Sequence, residues 1–176
     1  FLMLMVRYLK DGGRAGIVLP DGSLTGDGVK QRIRQHFLEN CNLHKIVRLP
    51  HSVFQPYASV ATNLLFFAKG KPTKEIWYWE HKIPEGVKAY SKTKPIQKKE
   101  FDNLKKWWKK RKENDQAWKV AIDTIINDGY NLDIKNPNTP EEEHPYSSAE
   151  LLSMLHDSFQ VSDDLLIKLK KELTNG

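Results

Sequence analysis

Val60-Ala61-Thr62-Asn63-Leu64-Leu65-Phe66-Phe67-Ala68 decides the fold, because its centre is apolar without alternation. A strand with one wet face alternates polar and apolar residues at period two. A continuous apolar run bounded by turn residues therefore reads as a strand covered on both faces. Helices are what cover a sheet on two sides, and the flanking sequence supplies them. Upstream, residues 43–49 form a second strand, with Ile46, Val47 and Leu49 at its heart and Pro50 ending it; residues 51–59 are the loop between the two. Before them an amphipathic helix carries Val29, Ile33 and Phe37 on one face and Lys30, Arg32 and Arg34 on others. Residues 14–20 read as a short inner strand bounded by glycine and proline, and residues 1–10 as a buried helix ended by Gly12 and Gly13. Downstream, Glu75-Ile76-Trp77-Tyr78-Trp79-Glu80 is a fourth strand, read as an edge because prolines and lysines surround it. The fold class is α/β.

The second half is less regular. Residues 82–95 read as an extended, turn-rich connection. Residues 96–112 read as a helix, with Phe101, Leu104 and Trp108 at helical spacing. Residues 117–126 fit a strand or a helix equally, and residues 129–140 are turn-rich. Two short helices are expected to close the chain as a hairpin over residues 148–173. Ser147 and Glu150 have capping-box spacing, with Tyr146 and Leu151 placed as a staple. Ser162, followed by Asp163 and Asp164, caps the second helix, whose seam is Leu166, Leu169 and Leu173. Three regions result: residues 1–80 as α/β sheet, 81–145 as a basic, tryptophan-rich extension, and 146–176 as a helical tail for docking.

Charge follows the same division. Residues 69–119 carry 16 basic against 7 acidic side chains, whereas residues 120–176 carry 4 against 11. A basic middle beside an acidic end suggests a polyanion surface and a separate protein-docking surface. The lone Cys41 excludes an internal disulfide and fits a reducing, cytoplasmic setting. The apolar opening, residues 1–9, is far shorter than the roughly 20 residues of a membrane helix. Starting on Phe inside a helix, the chain is expected to be part of something longer.

Metal and covalent chemistry find little support. The six histidines are scattered without ligand spacing, and neither Ser23 nor Ser52 sits in a nucleophile elbow. The loop from Gly22 to Gly28 lies between strand and helix, where phosphates often bind, yet matches neither the dinucleotide nor the Walker pattern. Asn136-Pro137-Asn138 lacks the second proline and aromatic of an adenine-methylation motif and is set aside. Two features remain. Phe54 and Tyr57 lie on a proline-stiffened loop between two strands, where an aromatic can stack on an unpaired or flipped base; the competing reading packs both onto the core. Lys105, Lys106, Lys109, Lys110 and Arg111 surround Trp107 and Trp108 and suit phosphate contact, or else a solvated helix face. Trp108 is assigned to the core and Trp107 to a base or sugar.

Several stretches together resemble the modification subunits of type I restriction enzymes. They are Ile17-Val18-Leu19-Pro20-Asp21-Gly22-Ser23-Leu24, Ile46-Val47-Arg48-Leu49-Pro50, Val53-Phe54-Gln55-Pro56-Tyr57-Ala58, Thr62-Asn63-Leu64-Leu65-Phe66-Phe67 and Ile76-Trp77-Tyr78-Trp79. Trp107 to Arg111, Ala117 to Val120 and Tyr130 to Asp133 continue the match in order. The resemblance implies the C-terminal part of a Rossmann-like, S-adenosylmethionine-dependent methyltransferase acting on adenine N6 in DNA. On that reading residues 14–20 contain the last parallel strand, and residues 43–49 and 60–68 are the antiparallel pair. Phe54 matches the aromatic that packs on the flipped adenine, with Tyr57 in reserve. The cofactor's glycine motif and the Asn-Pro-Pro-aromatic motif, which precede this region in the family, are absent, so catalytic and cofactor-binding residues are expected elsewhere. Implied partners are DNA, the specificity and restriction subunits and a second modification subunit, with the acidic tail docking the specificity subunit. The alternatives are a non-enzymatic nucleic-acid-binding module and a subunit-assembly module.

Overall fold

In chain order the elements are α1 (Leu2–Tyr8), β1 (Arg14–Pro20), α2 (Val29–Asn40), β2 (Cys41–Leu49), β3 (Thr62–Lys69), β4 (Glu75–Glu80), α3 (Asp102–Lys109), β5 (Ala117–Ala121), α4 (Ile122–Asn127) and α5 (Ser148–Thr174). The computed structural model describes residues 1–139 and 146–174 and divides into two units, Phe1–Thr139 and Pro140–Gly176.

One mixed sheet, ordered β1-β3-β2-β4-β5, forms the first unit. Strand β3 is antiparallel to β1 and β2, β4 is parallel to β2, and β5 is antiparallel to β4. Register aligns Ile17, Leu65, Ile46, Tyr78 and Trp118 in one row across the sheet, and Val18, Leu64, Val47, Trp79 and Ala117 in the next. Because successive strand residues face opposite ways, these rows supply two different cores. The first also contains Phe37 and Leu38 of α2, Ile125 of α4, and Val6. Phe37 meets the edge of Phe67 at 4.8 Å, and Tyr78 stacks on Trp118 at 5.2 Å. On the second face, Leu104 and Trp107 of α3 pack on Val47, Leu49 and Trp79. Both faces of the central strands are thus covered, as the unbroken Leu64–Phe67 run requires.

Several expectations need correction. Within α1 only Val6 is buried, while Phe1 and Tyr8 lie open, so apolar composition did not guarantee burial. Among the described residues strand β1 is outermost in the sheet, half-covered at every second residue. Strand β4 is internal, because Ala117–Ala121 pairs along the side where an edge was expected. Residues 117–126 are strand and then helix, a succession that explains their ambiguous pattern. On α2, Val29 is exposed and Arg34 is buried. The Arg34 guanidinium donates to the carbonyls of Tyr130 (2.6 Å), Thr25 (2.9 Å) and Gly26 (2.6 Å), so its charge satisfies loop backbone that would otherwise lack partners.

The C-terminal hairpin is instead one 27-residue helix, α5. Its capping box forms as expected: Glu150 accepts from the Ser147 backbone at 2.6 Å, and Ser147 Oγ accepts from the Glu150 backbone at 3.3 Å. Ser162 does not start a second helix. Its hydroxyl donates back to the Ser158 carbonyl at 2.9 Å, a bond compatible with a continuous helix.

Candidate nucleic-acid interface

Strands β1, β2 and β4 run in the same direction, so their carboxyl ends, at Pro20, Leu49 and Glu80, lie on one side of the sheet. Open α/β sheets bind ligands outside the carboxyl ends of such strands. A cleft of about 380 Å³ opens there, lined by Asp21, Arg48, His51, Asn63, Glu80 and His81 among others. Asn63 is fully buried, and its Nδ2 donates to Asp21 Oδ1 at 2.5 Å. The Asp21 carboxylate can only accept, which orients the amide and leaves Asn63 Oδ1 as an acceptor with no partner among the described residues.

The loop from His51 to Ser59 rises from this cleft. Its base is held by Val53, packed in the second core, and by buried Ser52, whose Oγ accepts from the Tyr90 backbone at 3.0 Å. Tyr90 in turn donates from its hydroxyl to Glu100 and contacts His81 Nε2 at 3.2 Å. His81 stacks on Phe101 at 4.9 Å. Burial holds the His81 imidazole below its usual range, with Glu100 pulling the other way; burial and the Glu100 hydrogen bond push the Tyr90 hydroxyl up. A packed, hydrogen-bonded cluster around the Glu100 carboxylate therefore anchors the loop. Its tip is different: the Phe54 ring is 41% exposed and Tyr57 84%, so neither is claimed by the core.

Both tryptophans after this region pack on the second core, Trp108 as expected and Trp107 against expectation. Trp107 is buried against Trp79 at 5.2 Å, and its indole N–H donates to the Lys112 carbonyl at 2.8 Å. It has no face left for a base. Trp108 is half-buried, edge-on to Phe66 at 4.8 Å and beneath the Lys45 ammonium at 3.9 Å. Lys105, Lys106, Lys109, Lys110 and Arg111 are all exposed, and Lys105 is paired with Asp102 at 2.7 Å. Lys105 and Lys109 border an apolar hollow over Leu64 and Phe66, and Arg111 lines a groove with Lys45.

The glycine loop is committed internally. Lys30 Nζ binds the Gly22 carbonyl at 2.8 Å, and Arg34 binds those of Thr25 and Gly26. A loop that turns its carbonyls to the protein's own cations is not a phosphate cradle. Asn136 is also structural, clamping Glu80 and the Asp115 carbonyl at 2.9 Å each. Among the described residues no group of three His, Cys, Asp or Glu side chains could hold a metal. Sequence reasoning missed Asn63, Tyr90 and Lys45. The one signal available was Lys45 itself, a charge placed inside an apolar strand.

A family model described as N-6 DNA Methylase matches residues 1–145. The type I restriction enzyme EcoEI methylase subunit of Escherichia coli is 56% identical over 78% of this chain and 29% of its own length. The EcoKI methylase subunit of the same species is 44% identical over 54% of the chain and 19% of its own. Among solved structures, a modification subunit of a putative type I restriction enzyme from Vibrio vulnificus superposes with a TM-score of 0.75, at 46% identity, covering 79% of this chain and 32% of that one. A structure on complex assembly and conformational transition of the type I R-M system has a TM-score of 0.75 at 34% identity and covers all of this chain and 39% of its own. The chain spans about a third or less of the curated relatives it matches. The sheet, its carboxyl-end cleft and these likenesses agree: the chain belongs to the N-6 DNA methylase family.

Proposed function

We propose that this chain is the carboxyl part of a type I modification subunit, which with its upstream half transfers a methyl group from S-adenosylmethionine to adenine N6 in DNA. The observation that carries the reading is the pair of uncommitted aromatics, Phe54 and Tyr57, on an anchored loop beside the carboxyl-end cleft. The β1-β3-β2 order supports it, since it fits the last parallel strand and antiparallel pair of a methyltransferase sheet. An adenine inside a duplex hides its amine, so the base must leave the stack at a cost of a few kcal/mol. An aromatic face waiting outside returns about 1–3 kcal/mol by stacking. Phe54 is the stacking residue in this reading, with Tyr57 as the second candidate; the Ser52–Tyr90–Glu100–His81 cluster holds the loop in place. In this reading the residues that bind the methyl donor lie in the upstream half, and no catalytic step is assigned to this segment.

Helix α5 supplies the docking surface. Leu152, Leu155, Phe159, Leu166, Leu169 and Leu173 are all exposed and follow alternating three- and four-residue spacing, interrupted by Ser162. That is the seam of a coiled coil, and its occupant in this reading is a helix of the specificity subunit. DNA, the restriction subunit and a second modification subunit complete the assembly. Among the described residues no helix is long and apolar enough to cross a membrane.

The test is reconstitution. The chain joined to its upstream half and a specificity subunit should methylate adenine in duplex DNA; an assembled complex that methylates no DNA overturns the reading. Removing residues 147–176 should abolish co-purification with the specificity subunit while leaving the first unit folded.

A further inference from the structure

At the opposite end of the sheet from the Phe54 loop lies a second concave site. It sits at the amino ends of β2 and β4 and has a volume of about 920 Å³. Four of its lining residues are cations, Lys45, Lys71, Lys74 and Arg111, joined by His44 and the half-buried Trp77 ring. The lone acid of the lining, Glu75, is already paired with Lys119 at 3.1 Å. None of the four cations has a carboxylate within 4.0 Å among the described residues.

Lys45 is the most informative. It is 6% exposed and rests on the Trp108 ring instead of an anion. Burial, then the charge of Arg111, hold its ammonium down to about 8, and burial with Lys45, Arg111 and Arg14 holds His44 down to about 4. A buried, unpaired cation beside three more is unfavourable in isolation and favours an anionic occupant. The cations come from β2, the β3–β4 connection and the segment after α3, so positive charge is spread around the site and not gathered at one point. A repeating polyanion fits that layout. Trp77, with Arg111 at 5.9 Å and Lys119 at 5.6 Å from its ring, adds a flat surface suited to sugar or base.

We propose that the groove lined by Lys45, Lys71, Lys74 and Arg111 is a second nucleic-acid site, binding the phosphodiester backbone of DNA away from the base-stacking loop. The inference deepens the methyltransferase reading and rests on DNA being the substrate class. It assigns phosphate binding chiefly to this groove, and of the five basic residues at 105–111 only Arg111 takes part.

The experiment measures fluorescence anisotropy of a labelled duplex of about 30 base pairs with the 176-residue chain, across a salt series. Lys71→Ala, Lys74→Ala and Arg111→Ala are combined; all three side chains are exposed, so folding should be kept and is checked by circular dichroism. The charge-matched control combines Lys88→Ala, Lys92→Ala and Lys94→Ala, exposed lysines outside the groove. The groove variant should weaken binding at least tenfold and lower the slope of log affinity against log salt by about 0.9 for each phosphate it no longer neutralises. The control should weaken binding far less. Equal weakening in both variants, no binding by the unaltered chain at low salt, or competition by polyglutamate at charge concentrations where DNA does not compete would each overturn the proposal. If the groove variant binds normally while the reconstituted enzyme still methylates adenine, the groove fails and the methyltransferase reading stands.

Discussion

Phe54 and Tyr57 on one side, and Trp107 and Trp108 on the other, present the same signal in sequence: paired aromatics next to strand or helix ends. In the structure they part. Trp107 points into the face of β4 and is nearly sealed, whereas Phe54 and Tyr57 stand beyond a loop whose inner residues, Ser52 and Val53, meet the body's anchoring needs. An aromatic becomes available for a ligand when neighbours have already closed the core beneath it. Local sequence does not reveal that condition.

The largest effect expected from this contrast is on stability. Trp107→Ala should cost about 3–5 kcal/mol of unfolding free energy, through the cavity it leaves against Trp79 and the missing hydrogen bond to Lys112. Urea denaturation checks it; a cost under about 1 kcal/mol, the range of surface substitutions, would return Trp107 to the surface. Phe54→Ala should do the reverse: stability within about 0.5 kcal/mol of the parent, and DNA binding by the assembled enzyme weakened by about 1–3 kcal/mol. Titrating the same duplex into both forms measures the second quantity.

A smaller effect comes from the histidines. His44 and His81 enter the folded state with affinities for protons below the ordinary value of 6.5, near 4 for His44. The unfolded chain binds protons more readily between those values, so stability should fall as the pH drops from about 6.5 towards 4. His44→Gln should flatten part of that decline in denaturation midpoints; an unchanged profile would deny His44 a share. Least of all, Lys105→Ala should alter stability by no more than about 0.5 kcal/mol, since its pair with Asp102 is exposed on both sides.

Most of the sheet was legible because hydrophobic period is a local property. Arg14–Pro20 and Glu75–Glu80 appear with the predicted limits, and Leu64–Phe67 is covered on both faces. What escaped was pairing over distance. Nothing near Glu75 announces that Ala117–Ala121 will cover its outer side, and nothing near Ser52 announces Tyr90, 38 residues away. The single helix α5 escaped for another reason: Ser162 with two following aspartates is a fair N-cap, but its hydroxyl can equally bond backward inside a helix, and it does. Of the candidate site, the loop carrying Phe54 and Tyr57 was readable but their exposure was not, and the Asn63–Asp21 pair and the Lys45 groove required the register of three strands.

The central claim, that Phe54 receives a base, is tested most directly by placing 2-aminopurine at the target adenine of a duplex bound to the assembled enzyme and reading its fluorescence. Stacking on Phe54 quenches the flipped base, so Phe54→Ala should raise the emission while Trp107→Phe leaves it unchanged. Emission that is the same in the parent, in Phe54→Ala and in Tyr57→Ala would contradict the account.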